Sequence, residues 1–116
     1  MILHIALAED WAEARRRGCY PWSTRGVLIA DQGFLHGCAD LRQLETVMDA
    51  LYPDRPELVL LEIDEEALAA HGLEVRFEPG DPEDPDSERF PHVYGGPLPC
   101  SLLRSSSLPL PSRRTP

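Results

Sequence analysis

The sequence contains no lysine and no asparagine; all 11 basic residues are arginines. A GC-rich coding bias leaves that signature, so the guanidinium groups do not in themselves signal special chemistry. Cysteine is scarce too: Cys19, Cys38 and Cys100 are odd in number and widely spaced. That pattern is neither a disulfide framework nor a paired zinc motif, and it fits free thiols in a reducing cytoplasm. No apolar run approaches the ~20 residues a bilayer-spanning helix needs. No basic segment followed by a long apolar stretch opens the chain, so no signal peptide and no membrane association are expected, and the expected location is cytoplasmic. A glycine-rich phosphate loop and a dinucleotide fingerprint are both missing. Finally, no acid occurs after residue 96. Residues 1–96 carry 8 arginines against 20 acids, a balance of −12, whereas residues 97–116 carry 3 arginines, within a total of −9. A body this acidic repels a phosphate backbone, which argues against binding duplex nucleic acid, although one local arginine could still hold a single nucleotide.

What is present fits one small domain of 116 residues. Residues 2–6 read as a short apolar strand with His4 inside it, and 8–17 as a helix carrying Trp11, with Gly18 as its C-cap. Arg15, Arg16 and Arg17 complement the dipole at that helix end, with a phosphate site as the alternative reading. Residues 19–33 read as a loop around a strand at Val27–Ala30. The clearest helix follows Asp40: Leu41, Leu44, Val47, Met48 and Leu51 fall at helical spacing, and Asp40 with Gln43 resembles a capping box. Leu58–Ile63 has the pattern of a buried strand, and Asp64 caps a short helix closed by Gly72, with His71 a surface cap.

Leu73–Glu78 alternates, so Leu73, Val75 and Phe77 share one face and Glu74, Arg76 and Glu78 the other. Residues 79–89 are acidic and poor in apolar side chains and read as a mobile loop. A last strand fits 101–108, and 109–116 reads as a disordered tail of Pro, Ser and Arg, leaving a domain over 1–108. Strands outnumber helices, and an α+β domain fits better than an alternating parallel sheet.

Three apolar segments each carry one imidazole: His4, His36 after Gly33-Phe34-Leu35, and His92 in Phe90-Pro91-His92-Val93-Tyr94-Gly95-Gly96-Pro97. His92 and Tyr94, two apart on an extended segment, point the same way. Imidazole suits proton transfer near neutral pH, and equally it can serve as a buried hydrogen-bond partner. No two of these histidines have a short metal-ligand spacing, so no metal site is expected. Cys38, two residues after His36, reads as a small buried thiol rather than a nucleophile. Glu62 sits in a buried-looking strand and needs a partner, for which Arg76 is available.

These motifs, in this order over roughly residues 1–108, resemble the bacterial family called domain of unknown function 952. The resemblance implies a small α+β domain similar to the ADP-ribosyltransferase fold. In that fold two small mixed or antiparallel sheets, with two to three short helices, face each other across a cleft for NAD. By the same resemblance His4 would contact the NAD ribose, and Phe34 or Tyr94 would stack a nicotinamide or another base. Glu78 would be the late carboxylate that orients the reacting ribose. Taken together with the histidine-bearing segments, the candidate site has His36, His92 and Glu78 at the chemistry and His4, Phe34, Arg76 and Tyr94 on the nucleotide. Gly37-Cys38 departs from the apolar residue and hydroxyl of the family pattern, and the Gly95-Gly96 pair is one glycine longer. The functional expectation is binding of NAD or an ADP-ribose-like nucleotide, with transfer or glycosidic hydrolysis open. The alternative is a non-catalytic interaction module whose histidines are structural.

Overall fold

The computed structural model describes residues 1–54 and 56–106. The tail expected from Pro109, and the end of the strand expected over 101–108, lie outside these residues. The most apolar run becomes β6 (Leu58–Ile63), the central strand of an antiparallel sheet flanked by β1 (Ile2–Leu7) and β10 (Leu103–Ser106). Leu61 lies opposite His4 and Ser105, and Ile63 opposite Ile2 and Leu103. Strand alternation then sends Ile2, His4, Ala6, Leu61 and Ile63 to one face and Leu3, Ile5 and Leu60 to the other.

The second face receives α3 (Leu41–Leu51), whose Leu44 and Met48 pack with Ile5, Cys38, Tyr52 and Leu60. The helix starts as the sequence indicates. Asp40 accepts from Gln43 N at 2.9 Å, and Gln43 Oε1 in return accepts from Ala39 N at 2.8 Å, one residue before the cap. Its last turn is closed by Arg25, which donates to Leu51 O and grips both oxygens of Asp54 at 2.7 and 2.8 Å.

The first face meets α1 (Ala8–Arg17) through Trp11 and Ala14, and a second three-stranded sheet through Leu35 and Val93. That sheet has the antiparallel order β5 (Leu35–His36), β8 (Arg89–Tyr94), β7 (Glu74–Pro79). Leu35, Val93 and Val75 form one cross-strand row, turned to the core; His36, His92 and Arg76 form the next, turned away from it. Leu3 and Cys38 exchange backbone hydrogen bonds at 2.8 and 2.7 Å, joining the two sheets.

Two small ribbons complete the fold: β2 (Cys19–Tyr20) with β9 (Leu98–Pro99), and β3 (Trp22–Thr24) with β4 (Val27–Leu28). A single turn, α2 (Ile29–Gln32), follows β4, and α4 (Glu65–Ala70) follows β6. Asp64 caps α4 by accepting from Glu66 N at 3.0 Å. Gly72 N donates to Ala69 O and Leu73 N to Leu68 O, the paired bonds of a Schellman ending. No helix among the described residues is long and apolar enough to cross a membrane.

The protein is thus an α+β domain of antiparallel sheets, and the expectation of two to three helices is corrected to four α-helices among the described residues. The strand expected at Val27–Ala30 stops at Leu28, because Ile29 turns inward to the core as a helical residue, 2 % exposed. Phe77 points to the core face as its alternation requires, yet stays 51 % exposed, because on the edge strand β7 the core packs against Val75 and not as far as Phe77. Arg76 does not partner Glu62: the two lie on different sheets, and Arg76 bonds Glu74 at 3.0 Å instead. Residues 80–88 form the loop of the β7–β8 hairpin. It is closed by Gly80 N to Glu88 O and tied internally by Ser87 Oγ, which donates to Asp84 O at 2.7 Å.

Candidate functional site

The outward row of the second sheet assembles a histidine-centred network. His36 and His92 are cross-strand partners with ring centroids 5.1 Å apart, edge to face. Phe34, just before β5, lies flat on His92 at 4.0 Å and edge-on to His36 at 4.8 Å. His92 is 4 % exposed. Its Nδ1–H donates to Glu78 Oε1 at 2.9 Å, and the Tyr94 hydroxyl donates to the same oxygen. These bonds, Tyr94's first and His92's second, hold the Glu78 carboxyl below the ordinary glutamate range. Burial, then Glu78, pushes the Tyr94 hydroxyl up, and Arg76 lies over the Tyr94 ring at 4.3 Å. With Nδ1–H committed to Glu78, Nε2 is an acceptor in the neutral tautomer, and it is buried with no partner among the described residues.

His4 is placed differently. Its Nδ1–H donates to the backbone carbonyl of His36 at 2.6 Å, and its Nε2 accepts from the Tyr20 hydroxyl at 2.9 Å. Both nitrogens are used inside the protein, and a ribose contact at His4 would have to displace Tyr20. Burial pushes the His4 imidazole down to about 4, and burial with His92 as neighbour does the same for His36. His4 therefore braces β5 from behind and fixes where His36 stands.

His4, His36 and His92 border a single cleft of about 430 Å³ between the second sheet, β1 and α3. Its apolar wall comes from Ile5, Val47, Leu51 and Phe90, and its carboxylates from Asp81 and Glu88 of the hairpin loop. Glu88 is bonded to Arg42 and to Gln43 Nε2, which fastens the loop to α3. Of the side chains singled out in the sequence, Phe34, Arg76, Glu78 and Tyr94 do not border the cleft; they form the layer that holds His92 from outside. Cys38 does border it, but burial pushes its thiol up to about 12, which fits a packing role over a nucleophilic one. Among the described residues no group of three or more metal-ligating side chains converges.

Sequence reasoning does not find Tyr20, nor the tie of Gln43 to Glu88 and the close packing at Gly37. Tyr20 and Gln43 act through long-range bonds that leave no local signal. Gly37 is required by contact: a Cβ there would stand 2.6 Å from Ile2 Cγ2 and 2.9 Å from the Pro91 carbonyl oxygen. The oxygen is backbone of the strand that carries His92 and cannot swing aside, so Gly37→Ala is expected to cost about 1–3 kcal/mol. Urea denaturation checks it, and a cost below about 0.5 kcal/mol would mean β5 and β8 separate easily.

Comparison with known proteins supplies the lineage. A search of curated proteins gives no match. Among solved structures, the X-ray structure of protein CC0527 from Caulobacter crescentus is similar, with a TM-score of 0.71 and 26 % sequence identity. The match covers 94 % of this chain and 86 % of that one. A double mutant of the same Caulobacter protein matches equally well. The pattern of one protein family, described as protein of unknown function DUF952, matches residues 5–105. That span takes in most of both sheets and the network around His36 and His92, with His4 just before it, and the chain belongs to the DUF952 family.

Proposed function

We propose that the histidine cleft binds a nucleotide of the NAD or ADP-ribose type, in an ADP-ribosyltransferase-like arrangement, with His92 as the group that accepts a proton. One observation carries this reading: Nε2 of His92 is buried beside a cleft without a partner among the described residues, while Nδ1 is fixed on Glu78. Leaving a buried polar atom unpaired costs about 1–3 kcal/mol, and a ligand hydroxyl or water that supplies the missing donor removes that cost. A carboxylate on the far nitrogen fixes the tautomer and steadies the charge once the proton is taken.

Size and charge narrow the ligand. A volume of about 430 Å³ lies low in the range of small-molecule sites and suits one half of a dinucleotide. No arginine among the described residues borders the cleft, while Asp81 and the Arg42-paired Glu88 do. Its interior therefore suits the cationic nicotinamide ring and its ribose, with the pyrophosphate left outside. Glycosidic cleavage fits this arrangement. A water or substrate hydroxyl gives its proton to Nε2 and its oxygen attacks the ribose carbon, while nicotinamide leaves with the bonding electron pair.

His4 favours a second, structural reading for itself alone, because both of its nitrogens are already bonded. The test is thermal unfolding with and without millimolar NAD and ADP-ribose. A ligand at ~100 times its dissociation constant adds ~2.7 kcal/mol, a rise of several degrees in a domain of this size. His92→Gln is expected to abolish the rise while shifting the ligand-free midpoint by only a few degrees. No rise with either ligand in the wild-type protein refutes nucleotide binding.

A further inference from the structure

The second sheet has one edge closed and one open. Beside β5, Leu3 and Cys38 exchange backbone bonds that carry the structure on into β1. Beyond β7 no further strand stands among the described residues. Gly80 N donates to Glu88 O in the register that continues the β7–β8 pairing. By alternation Glu74, Arg76 and Glu78 also turn their backbone groups toward β8, and Val75 and Phe77 turn theirs outward. Pro91, which has no N–H to give, stands opposite Phe77 and fits that parity. The outward N–H and C=O groups of Val75 and Phe77 have no hydrogen-bond partner among the described residues. Such an edge is a template for another strand.

We propose that β7 pairs antiparallel with β7 of a second copy of this chain, in a two-fold dimer centred on Phe77 and independent of what the cleft binds. In this register Phe77 faces Phe77, Val75 faces Pro79 and Arg76 faces Glu78, the last two twice by symmetry. Each Phe77 N–H donates to the other Phe77 C=O, and each Val75 N–H to the opposite Pro79 C=O. Pro79, which lacks an N–H, is asked only to accept. The Arg76–Glu78 pairs fall at positions without backbone bonds between the two β7 strands, where facing side chains stand closest. Phe77, left half-exposed by the core, gains an aromatic neighbour. Neighbouring registers are worse. Centring on Arg76 sets Arg76 against Arg76 and Glu74 against Glu78, and centring on Val75 needs Leu73 N, which is already given to Leu68 O. The dimer also reaches the histidine network. Both bonds that hold Glu78 end on Oε1, and Oε2 has no hydrogen-bond partner among the described residues, so Arg76 of the second copy meets a vacant oxygen of the carboxylate that fixes His92.

The experiment is sedimentation velocity of the full chain from about 10 µM to about 1 mM at ~0.15 M salt, paired with amide hydrogen exchange at both ends of that range. A single strand pair is a small interface, and a reversible monomer–dimer equilibrium with a dissociation constant of ~100 µM is expected. At the high concentration the Val75 and Phe77 amides should exchange more slowly, while that of Arg76, bonded to β8 in either state, stays as it was. Phe77→Pro should abolish the dimer. The Phe77 N–H points away from β8, so proline there leaves the β7–β8 bonds in place. Arg76→Glu sets like charges opposite each other twice and should weaken association about tenfold. A chain that stays monomeric to about 1 mM overturns the proposal. So does a dimer whose Val75 and Phe77 amides stay unprotected, or a monomer in which they are already protected.

Discussion

Acidification from pH 7 to pH 4 is expected to remove on the order of 3 kcal/mol of stability through His4 alone. The unfolded chain takes up a proton on this imidazole near pH 6.5, whereas the folded protein refuses it until about pH 4. Unfolding therefore binds protons throughout that window, and stability falls as pH drops through it. Burial is the main cause, since the ring is 2 % exposed. Geometry adds a second: a protonated His4 would turn Nε2 from acceptor to donor and clash with the hydrogen of the Tyr20 hydroxyl. His36 acts in the same direction, with a smaller contribution because its ring is only partly covered. Glu78 extends the loss to lower pH, because a carboxyl held below its ordinary value loses its contribution when finally protonated. Against a total of about 5–15 kcal/mol for a domain, this is a large fraction. Urea unfolding at a series of pH values measures it. In His4→Gln the slope between pH 6.5 and 4 should shrink markedly, and an unchanged slope would show that His4 is not held neutral.

The largest loss from one substitution is expected at Leu61. It sits in the middle of the central strand, 0 % exposed, between His4 of β1 and Ser105 of β10. Its face packs with Ile2, Trp11 and Leu35, so it ties both sheets and α1 together. Truncation to alanine leaves a cavity that strands on both sides prevent from closing. The expected cost is about 2–5 kcal/mol, a fall in Tm of roughly 10–20 °C. Differential scanning calorimetry of Leu61→Ala decides it, and a fall of less than about 4 °C would mean the two sheets do not share one core.

The elements legible in the sequence are those whose causes are local. The helical spacing of Leu41 to Leu51 with Asp40 before it, the apolar run Leu58–Ile63, and the Gly18 and Gly72 endings all appear as read. Alternation in Leu73–Glu78 places Glu74, Arg76 and Glu78 on one face, and the structure keeps them there. What the sequence hid is long-range. The two-residue strands at Cys19–Tyr20 and Leu98–Pro99 exist only because they pair with each other. The His4–Tyr20 bond and the fastening of Glu88 to α3 likewise join segments that carry no mark of their destination. The site was half legible for the same reason: His36, His92, Glu78 and Tyr94 were named from motifs, whereas the division between cleft wall and supporting layer needs the strand register.

The central claim is that His92 offers a free Nε2 lone pair to a ligand in the cleft. The most direct measurement is the ¹⁵N spectrum of the histidine rings at neutral pH, recorded before and after adding NAD. The account predicts His92 in the form protonated on Nδ1, with an unprotonated Nε2 whose resonance moves on NAD addition while those of His4 hold still. A His92 ring protonated on Nε2, or an Nε2 resonance that NAD leaves unmoved, would contradict it.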